Sequence, residues 1–371
     1  MSSKGRKRGL SSRAERHQAY QMRTDMSGRS VSEESRAKLQ DLQSQLGDLH
    51  KSLLLETIQD DIDEMQTTLS LLPTDIESLR GRGYVFRNFL ERKLEVLTNQ
   101  WEETSSRVSR DVPRLTRELQ READEAESAL HQAMAGGNVH ISRAQNAIEA
   151  LEHRVDGAES TLRAMYETLQ QNVRQTKAQI EEIAWLLDEL AQASFRLYPA
   201  EDPIAASKAQ LMETKKDGPK GVLYLTDERL LFEQKEKKAT KKVLFIATEK
   251  ETVQELILDV PVGQIEKVEA SQKGLLGRKE MMRLLFSPEA ILDEALLRLR
   301  GTDNETWAGL IGRVQSGDIA KERSRPKEAA VLEAVRNVPT TCSTCGAAID
   351  AQIVRGMREI TCEYCGTVIR I

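Results

Sequence analysis

Four cysteines carry the most specific chemistry in this sequence, and all of them fall in its last thirty residues. They form two Cys-x-x-Cys-Gly runs, Cys342-Ser-Thr-Cys345-Gly346 and Cys362-Glu-Tyr-Cys365-Gly366, with sixteen residues between the inner cysteines. At this spacing each run makes a tight turn that aims two sulfurs at one centre, and the glycine permits the turn. Two such turns supply four thiolates, a soft donor set that suits tetrahedral zinc. With four protein ligands no coordination position is left open for water or substrate, so the metal is structural and not catalytic. Iron in an all-thiolate site is the alternative, which the absence of an aromatic shell disfavours. Redox catalysis by either pair would need a strand–helix setting of the thioredoxin type, which these runs lack.

Elements must hold those turns in register. Short strands are expected at 349–354, 359–360 and 367–371, and residues 340–371 so arranged resemble a zinc ribbon. A linker at 317–339, charged around Lys321 and Arg325 and with a short helix at 328–335, precedes it.

Between 200 and 316 the apolar pattern alternates, the mark of half-buried strands. Strands are expected at 221–225, 229–234, 243–248, 253–260, 265–271, 281–286 and 295–299, followed by a helix at 304–314 with Trp307, Leu310 and Ile311 on one face. Short strands with charged turns and one terminal helix predict a small bent barrel plugged by that helix. The run Gly221-Val-Leu-Tyr-Leu-Thr-Asp-Glu-Arg-Leu-Leu-Phe-Glu resembles the core motif of GRAM and bacterial pleckstrin-homology (PH)-like domains. Val260-Pro-Val-Gly-Gln-Ile-Glu-Lys-Val-Glu is similar to a later strand pair of the same domains, and the helix tryptophan fits. The resemblance implies a seven-stranded, half-open barrel used for binding protein or anionic lipid, and not for catalysis.

Anionic contact would need cations. Lys235, Lys237, Lys238, Lys241 and Lys242 crowd an expected hairpin tip with one acid, Glu236. Lys215, Lys216 and Lys220 precede Gly221, while Arg278 and Lys279 follow an apolar Leu275-Leu276 pair. Near an anionic leaflet each such cation is worth ~1 kcal/mol. The bland alternative is a set of solubilising turns. The segment 274–279 is no phosphate loop, because its glycines are too close and no Ser or Thr follows the lysine.

Upstream, residues 31–198 repeat apolar side chains at steps of 3 and 4. Ile148, Leu151, Val155, Ala158, Leu162, Met165 and Leu169 continue through Val173, Thr176, Ile180, Ile183, Leu187 and Leu190. That is a heptad seam with one extra step of four after Leu169, where supercoiling relaxes. A first helix from about Ser30 or Ser32 is expected to stop at Pro73, and a second to restart from Thr74, interrupted at Gly81, Gly83 and Pro113 with a kink or brief break near Asp111–Pro113. Gly136-Gly137 stands midway along the rest, so a long antiparallel coiled-coil hairpin with its tip at 136–137 is expected. A parallel dimer would satisfy the same seam. Residues 1–30 are basic (Lys4, Arg6, Lys7 and Arg8 among them) and poor in apolar side chains, which reads as a solvated tail.

Across 371 residues, 30% are charged and 4% aromatic, and the net charge of −5 gives no global pull toward nucleic acid or anionic membrane. No apolar run reaches the ~18 residues that span a bilayer, and the basic N-terminus lacks a secretory core. The expectation is a cytoplasmic, multidomain α + β chain, peripheral at the inner membrane face where its lysines engage, and self-associating or partner-bound through its coiled coil. A non-enzymatic scaffold or adapter follows, since no catalytic constellation stands out. The other reading is a nucleic-acid-associated protein that uses the basic tail and the ribbon. The ribbon's Arg355, Arg358 and Arg370 are offset by Asp350, Glu359 and Glu363, which gives it little phosphate footprint.

Overall fold

The computed structural model describes residues 13–136, 138–213, 216–243, 246–273, 279–327, 339–349 and 359–370, with backbone alone at 13–32, 136, 138, 213, 216–217, 237–243, 246–252, 273 and 370. The chain divides into two compact units, Met1–Thr67 with Leu97–Asn172, and Thr68–Val96 with Val173–Ile371.

Helices make up the first unit and the base of the second. They are α1 (Arg13–Ser52), α2 (Glu56–Gly81), α3 (Leu90–Gly136), α4 (Asn138–Ala164) and α5 (Glu167–Ala191). The repeating apolar residues are the buried ones: Leu42, Leu46, Ile58 and Met65, then Ile148, Leu151, Val155 and Leu162, then Val173, Ile180 and Ile183. Burial of one face, and not intrinsic propensity, is what holds such polar helices. Residues 13–30, expected to be a solvated tail, are helical backbone of α1, and the stretch before them lies outside the described residues.

Helix boundaries depart from expectation at Pro73, Pro113, Leu53–Leu55 and Met165–Tyr166. Pro73 does not stop a helix; it lies inside α2. Proline in a helix interior costs ~3 kcal/mol. Leu69, Leu72, Ile76 and Leu79 around it are all nearly fully buried, and each contributes ~1.5–3 kcal/mol, so packing wins. Pro113 likewise sits inside α3 with no break. Among the described residues the helices are interrupted at Leu53–Leu55 and, as Gly81 and Gly83 lead one to expect, around Arg82–Phe89; Leu55 (φ 51°), Gly83 (φ 93°) and Arg87 (φ 53°) turn the backbone left-handed there. A third falls at Met165–Tyr166, four residues ahead of the expected stutter. There Met165 N–H and Tyr166 N–H donate to the carbonyls three residues back, 3.1 Å each. The tightened turn exposes Met165 and puts Tyr166 into the core in its place. Tyr166 stands edge-on to Trp101 (6.4 Å, 85°) and donates to Asp61 Oδ2 at 2.7 Å, while Trp101 Nε1 donates to Gln66 Oε1 at 3.0 Å. Burial and the Asp61 carboxylate push the Tyr166 phenol well above its ordinary pKa.

In the second unit an antiparallel sheet runs in the order β4-β3-β2-β1-β7-β6-β5. Its strands are β1 (Pro203–Glu213), β2 (Lys216–Thr226), β3 (Arg229–Val243), β4 (Ile246–Pro261), β5 (Ile265–Lys273), β6 (Lys279–Phe286) and β7 (Glu294–Arg300). Helix α6 (Asn304–Gln315) follows and buries Trp307 and Ile311 against Leu223, Leu225, Phe232, Leu258, Leu284 and Leu297. Two expectations are corrected here. The strand expected at 243–248 straddles the end of β3 at Val243 and the start of β4 at Ile246, and β4 runs unbroken through the one expected at 253–260. Strand β1 was absent from the sequence reading because Ala, Ser, Lys and Gln are weak strand formers. Further on, β8 (Glu359–Thr361) pairs with β9 (Val368–Arg370). The expected helix at 328–335 and most of the expected strand at 349–354 lie outside the described residues.

Candidate metal centre and binding surfaces

The four cysteine sulfurs converge, all lying within 4.8 Å of one another. Cys342 Sγ is 3.6 Å from Cys365 Sγ, and Cys345 Sγ is 3.7 Å from Cys362 Sγ. A disulfide would bring sulfurs to ~2.05 Å, so these thiols are unbonded. A tetrahedron with metal–sulfur bonds of ~2.3 Å has edges of ~3.8 Å, which these separations match.

The two turns that aim the sulfurs are near copies. In the first, Gly346 N–H donates to Cys342 O (2.8 Å) and Cys342 N–H to Ala347 O (2.8 Å). In the second, Gly366 N–H donates to Cys362 O (2.8 Å) and Cys362 N–H to Thr367 O (2.9 Å). Gly346 and Gly366 have φ of 73° and 72°, a left-handed backbone that glycine adopts without strain. A bridge between Thr341 and Ala348 ties off the first turn, and β8–β9 ties off the second.

Electrostatics inside the cluster call for a cation. Backbone amides at Cys345 and Thr344 hold the Cys342 thiol below its ordinary range. Thr367, through its hydroxyl 3.2 Å from Cys365 Sγ and its amide, brings Cys365 down to about 6. At Cys345 the Ala347 amide pulls the other way, but the neighbouring sulfurs outweigh it and push the thiol up to about 12. Four thiolates this close repel, and a bound divalent cation removes that repulsion. Donor set and geometry therefore fit a metal ion.

A second polar cluster lies where the loop after α5 meets the sheet. Arg229, nearly fully buried, grips Glu201 with two bonds (Nη2 to Oε2 2.7 Å, Nε to Oε1 3.1 Å) and reaches Asp259 Oδ2 at 2.6 Å. Its guanidinium stacks 3.8 Å from the Tyr198 ring centre. Thr226 Oγ1 accepts from the Arg229 and Glu228 amides and donates to Glu201 Oε1 at 2.7 Å. The Thr and Arg of the motif quoted above thus hold a turn and an ion pair. Desolvation raises the Asp259 pKa despite its cation. This cluster was missed by sequence reasoning because Glu201 and Asp259 are remote in sequence from the motif, which alone was the available signal.

A strap after α6 closes the unit. Arg323 pairs with Asp202 and with Asp227 (2.9 Å), and its guanidinium lies 4.9 Å from the Phe86 ring centre. Asn88 N–H donates to Glu322 O (2.9 Å), and Ser324 N–H to Val85 O (2.7 Å).

The expected anion-contacting residues are scattered. Lys215 and Arg278 lie outside the described residues. Lys220 and Lys279 are exposed. Lys235 is half-buried and paired with Glu189 at 2.7 Å, so its charge is already met. Lys216 opens β2, and Lys237, Lys238, Lys241 and Lys242 run along β3 and not around a tip, because β3 continues to Val243 and pairs there with Ile246. The register sets Lys238 opposite Glu251 and Lys241 opposite Glu249, whereas Lys237 faces Thr252 and Lys242 faces Ala247.

No protein-family model matches the sequence, and no curated protein matches it significantly. Among solved structures, the chain is similar to the Vps36 N-terminal PH domain, at 17% identity over 33% of this chain and 85% of that one (TM-score 0.23). It is similar to the Slm1 PH domain crystallised with inositol-4-phosphate, at 11% identity over 31% and 95% (TM-score 0.21). The DH/PH domains of p115-RhoGEF match at 14% identity over 76% and 94% (TM-score 0.21). The seven-stranded antiparallel sheet and its closing helix agree with the fold that the sequence resemblance implies. Among the described residues no helix is long and apolar enough to cross a membrane.

Proposed function

We propose that this chain is a non-enzymatic scaffold in which a coiled-coil hairpin of α3 with α4 and α5 presents a PH-like, GRAM-type module and a zinc ribbon. The zinc ion is structural, held by Cys342, Cys345, Cys362 and Cys365. The module's binding surface is the β3–β4 ribbon, applied to an anionic membrane face or an acidic protein surface, and the helical seam provides self-association.

One observation carries the reading of the surface. Strand β2 pairs with β3 only from Gly221 to Leu225, yet β3 and β4 stay paired out to Val243 and Ile246. Residues beyond Gln234 therefore form a two-stranded ribbon past the sheet, and Lys237, Lys238, Lys241 and Lys242 lie along it, with Lys237 opposite Thr252 and Lys242 opposite Ala247 in the backbone register. Such cations gain ~1 kcal/mol each near an anionic leaflet.

Sedimentation with vesicles containing phosphatidylserine tests this. The full chain should bind in low salt, and Lys237→Glu with Lys242→Glu should abolish binding. Equal binding to neutral vesicles, or no effect of the two changes, would refute the membrane reading. Light scattering coupled to size exclusion, with metal analysis on the same peak, checks the remainder: a mass above one chain and one zinc per chain are expected.

A further inference from the structure

A second group of cations on the PH-like module lies on β1 and β7, apart from the β3–β4 ribbon in the strand order. Strands β1 and β7 pair so that Lys208 stands directly opposite Arg300. Like charges set opposite on neighbouring strands repel. Among the described residues neither cation has a carboxylate within ion-pair distance. Arg300 Nη2 donates to the neutral Gln210 Oε1 at 3.2 Å, and Lys208 Nζ lies 5.9 Å from the Trp185 ring centre.

Both cations line a cleft of about 590 Å³. That is within the range of small-ligand sites, roughly 300–1,000 Å³. Its apolar wall comes from Trp185 and Leu186 of α5, Ile204 of β1 and Leu310 of α6. Arg87 adds a third positive group, loosely shared with Glu182 at 3.8 Å. Two carboxylates also line the cleft: Glu182, shared with Arg87, and Asp303, which is turned to cap α6 by accepting from Thr306 N–H (2.7 Å) and Thr306 Oγ1–H (2.6 Å). The cleft thus offers two uncompensated cations side by side and an indole-lined apolar wall.

We infer that this cleft binds a phosphomonoester carried on an apolar or aromatic body, with the phosphate dianion set between Lys208 and Arg300 and the body against Trp185. A dianion neutralises both cations at once, and charge-assisted bonds from lysine and arginine are the strong ones. The repulsion between them in the free protein is the cost of a site preorganised for that charge.

The test is titration of the full chain with 1-naphthyl phosphate, followed by calorimetry and tryptophan emission. Saturable binding is expected, weakened at least tenfold in Lys208→Gln and in Arg300→Gln. Each variant should melt at or slightly above the wild-type midpoint, because removing one cation relieves the pair. A merely structural role would instead lower the midpoint. Lys237→Glu with Lys242→Glu should leave naphthyl phosphate binding unchanged, so failure of the membrane reading and failure of this one are distinguishable. Vesicles containing phosphatidic acid, used as competitor, assign the source: displacement means a lipid headgroup, and retention means a soluble phosphomonoester. No saturation at millimolar naphthyl phosphate, wild-type affinity in both variants, or equally tight binding of 1-naphthoate would overturn the inference.

Discussion

The seven-stranded sheet and the four-cysteine module hold themselves together in opposite ways. The sheet buries Leu223, Leu225, Phe232, Leu258, Leu284, Leu297 and Trp307 in one continuous core. Each such side chain contributes ~1.5–3 kcal/mol, so the load is shared and no single one decides folding. In the cysteine module the buried residues, among those described, are Ile360 and the cysteines Cys342 and Cys362. Among the described residues, so little apolar burial leaves most of the cost of ordering the backbone, about 1–2 kcal/mol per residue, to be offset in another way. The module must draw its stability from the thiol cluster. Distributed stability tolerates substitution, and stability concentrated in four atoms does not.

The sharpest way to break that contrast is Cys362→Ser. Apparent binding free energies of structural zinc sites run to ~10–16 kcal/mol, and a site with three thiolates loses most of that. Loss of the metal and of amide-exchange protection in β8 and β9 is expected, with the sheet's unfolding transition unmoved. A chelator should do the same to the wild-type chain. Retained protection in the variant would show that the module folds without its metal.

Arg229→Ala attacks the other side. Removing the arginine leaves Glu201 buried without its cation, which costs ~3–5 kcal/mol. Denaturant unfolding of the sheet should shift by that amount while metal content stays at the wild-type level. Gly221→Ala should act in the same direction with about 1–3 kcal/mol, because a Cβ there would stand 1.8 Å from Glu233 O, in the backbone of the neighbouring strand. The partner strand must shift, and the cost is read from the same unfolding curves.

These two regions also differed in how far the sequence disclosed them. Cysteine spacing is a local code: two knuckles of four residues name their own ligands, and the structure brings all four sulfurs together. The long β strands with strong alternation were equally plain, as was the closing helix with Trp307. What escaped was set by tertiary contacts. Strand β1 carries Ala205, Ser207 and Ala209, side chains too small to signal a strand, and it is held by pairing with β2 on one side and β7 on the other. Pro73 carried a strong stop signal that burial of Leu72 and Ile76 overrode. The interruption at Leu53–Leu55 has no glycine or proline to announce it, since Leu55 itself takes the left-handed backbone. The ion pair of Arg229 with Glu201 joins residues whose proximity only the fold creates.

The smallest expected effect sharpens the contrast from inside the cysteine module. If the two knuckles share the load equally, Gly346→Ala and Gly366→Ala should cost the same, because both glycines hold φ near 72° and both donate to a cysteine carbonyl at 2.8 Å. A left-handed alanine is disfavoured by ~1 kcal/mol, and neither site has atoms within 4 Å of the added carbon, so strain alone sets the penalty. Competition against a zinc chelator reads this directly: about a fivefold loss of metal affinity is expected for each variant, since 1 kcal/mol corresponds to about that factor. The losses should multiply in the double variant if the knuckles reach the metal independently. A marked inequality between the two would mean that β8–β9, which ties off only the second knuckle, carries part of the stability otherwise attributed to the metal.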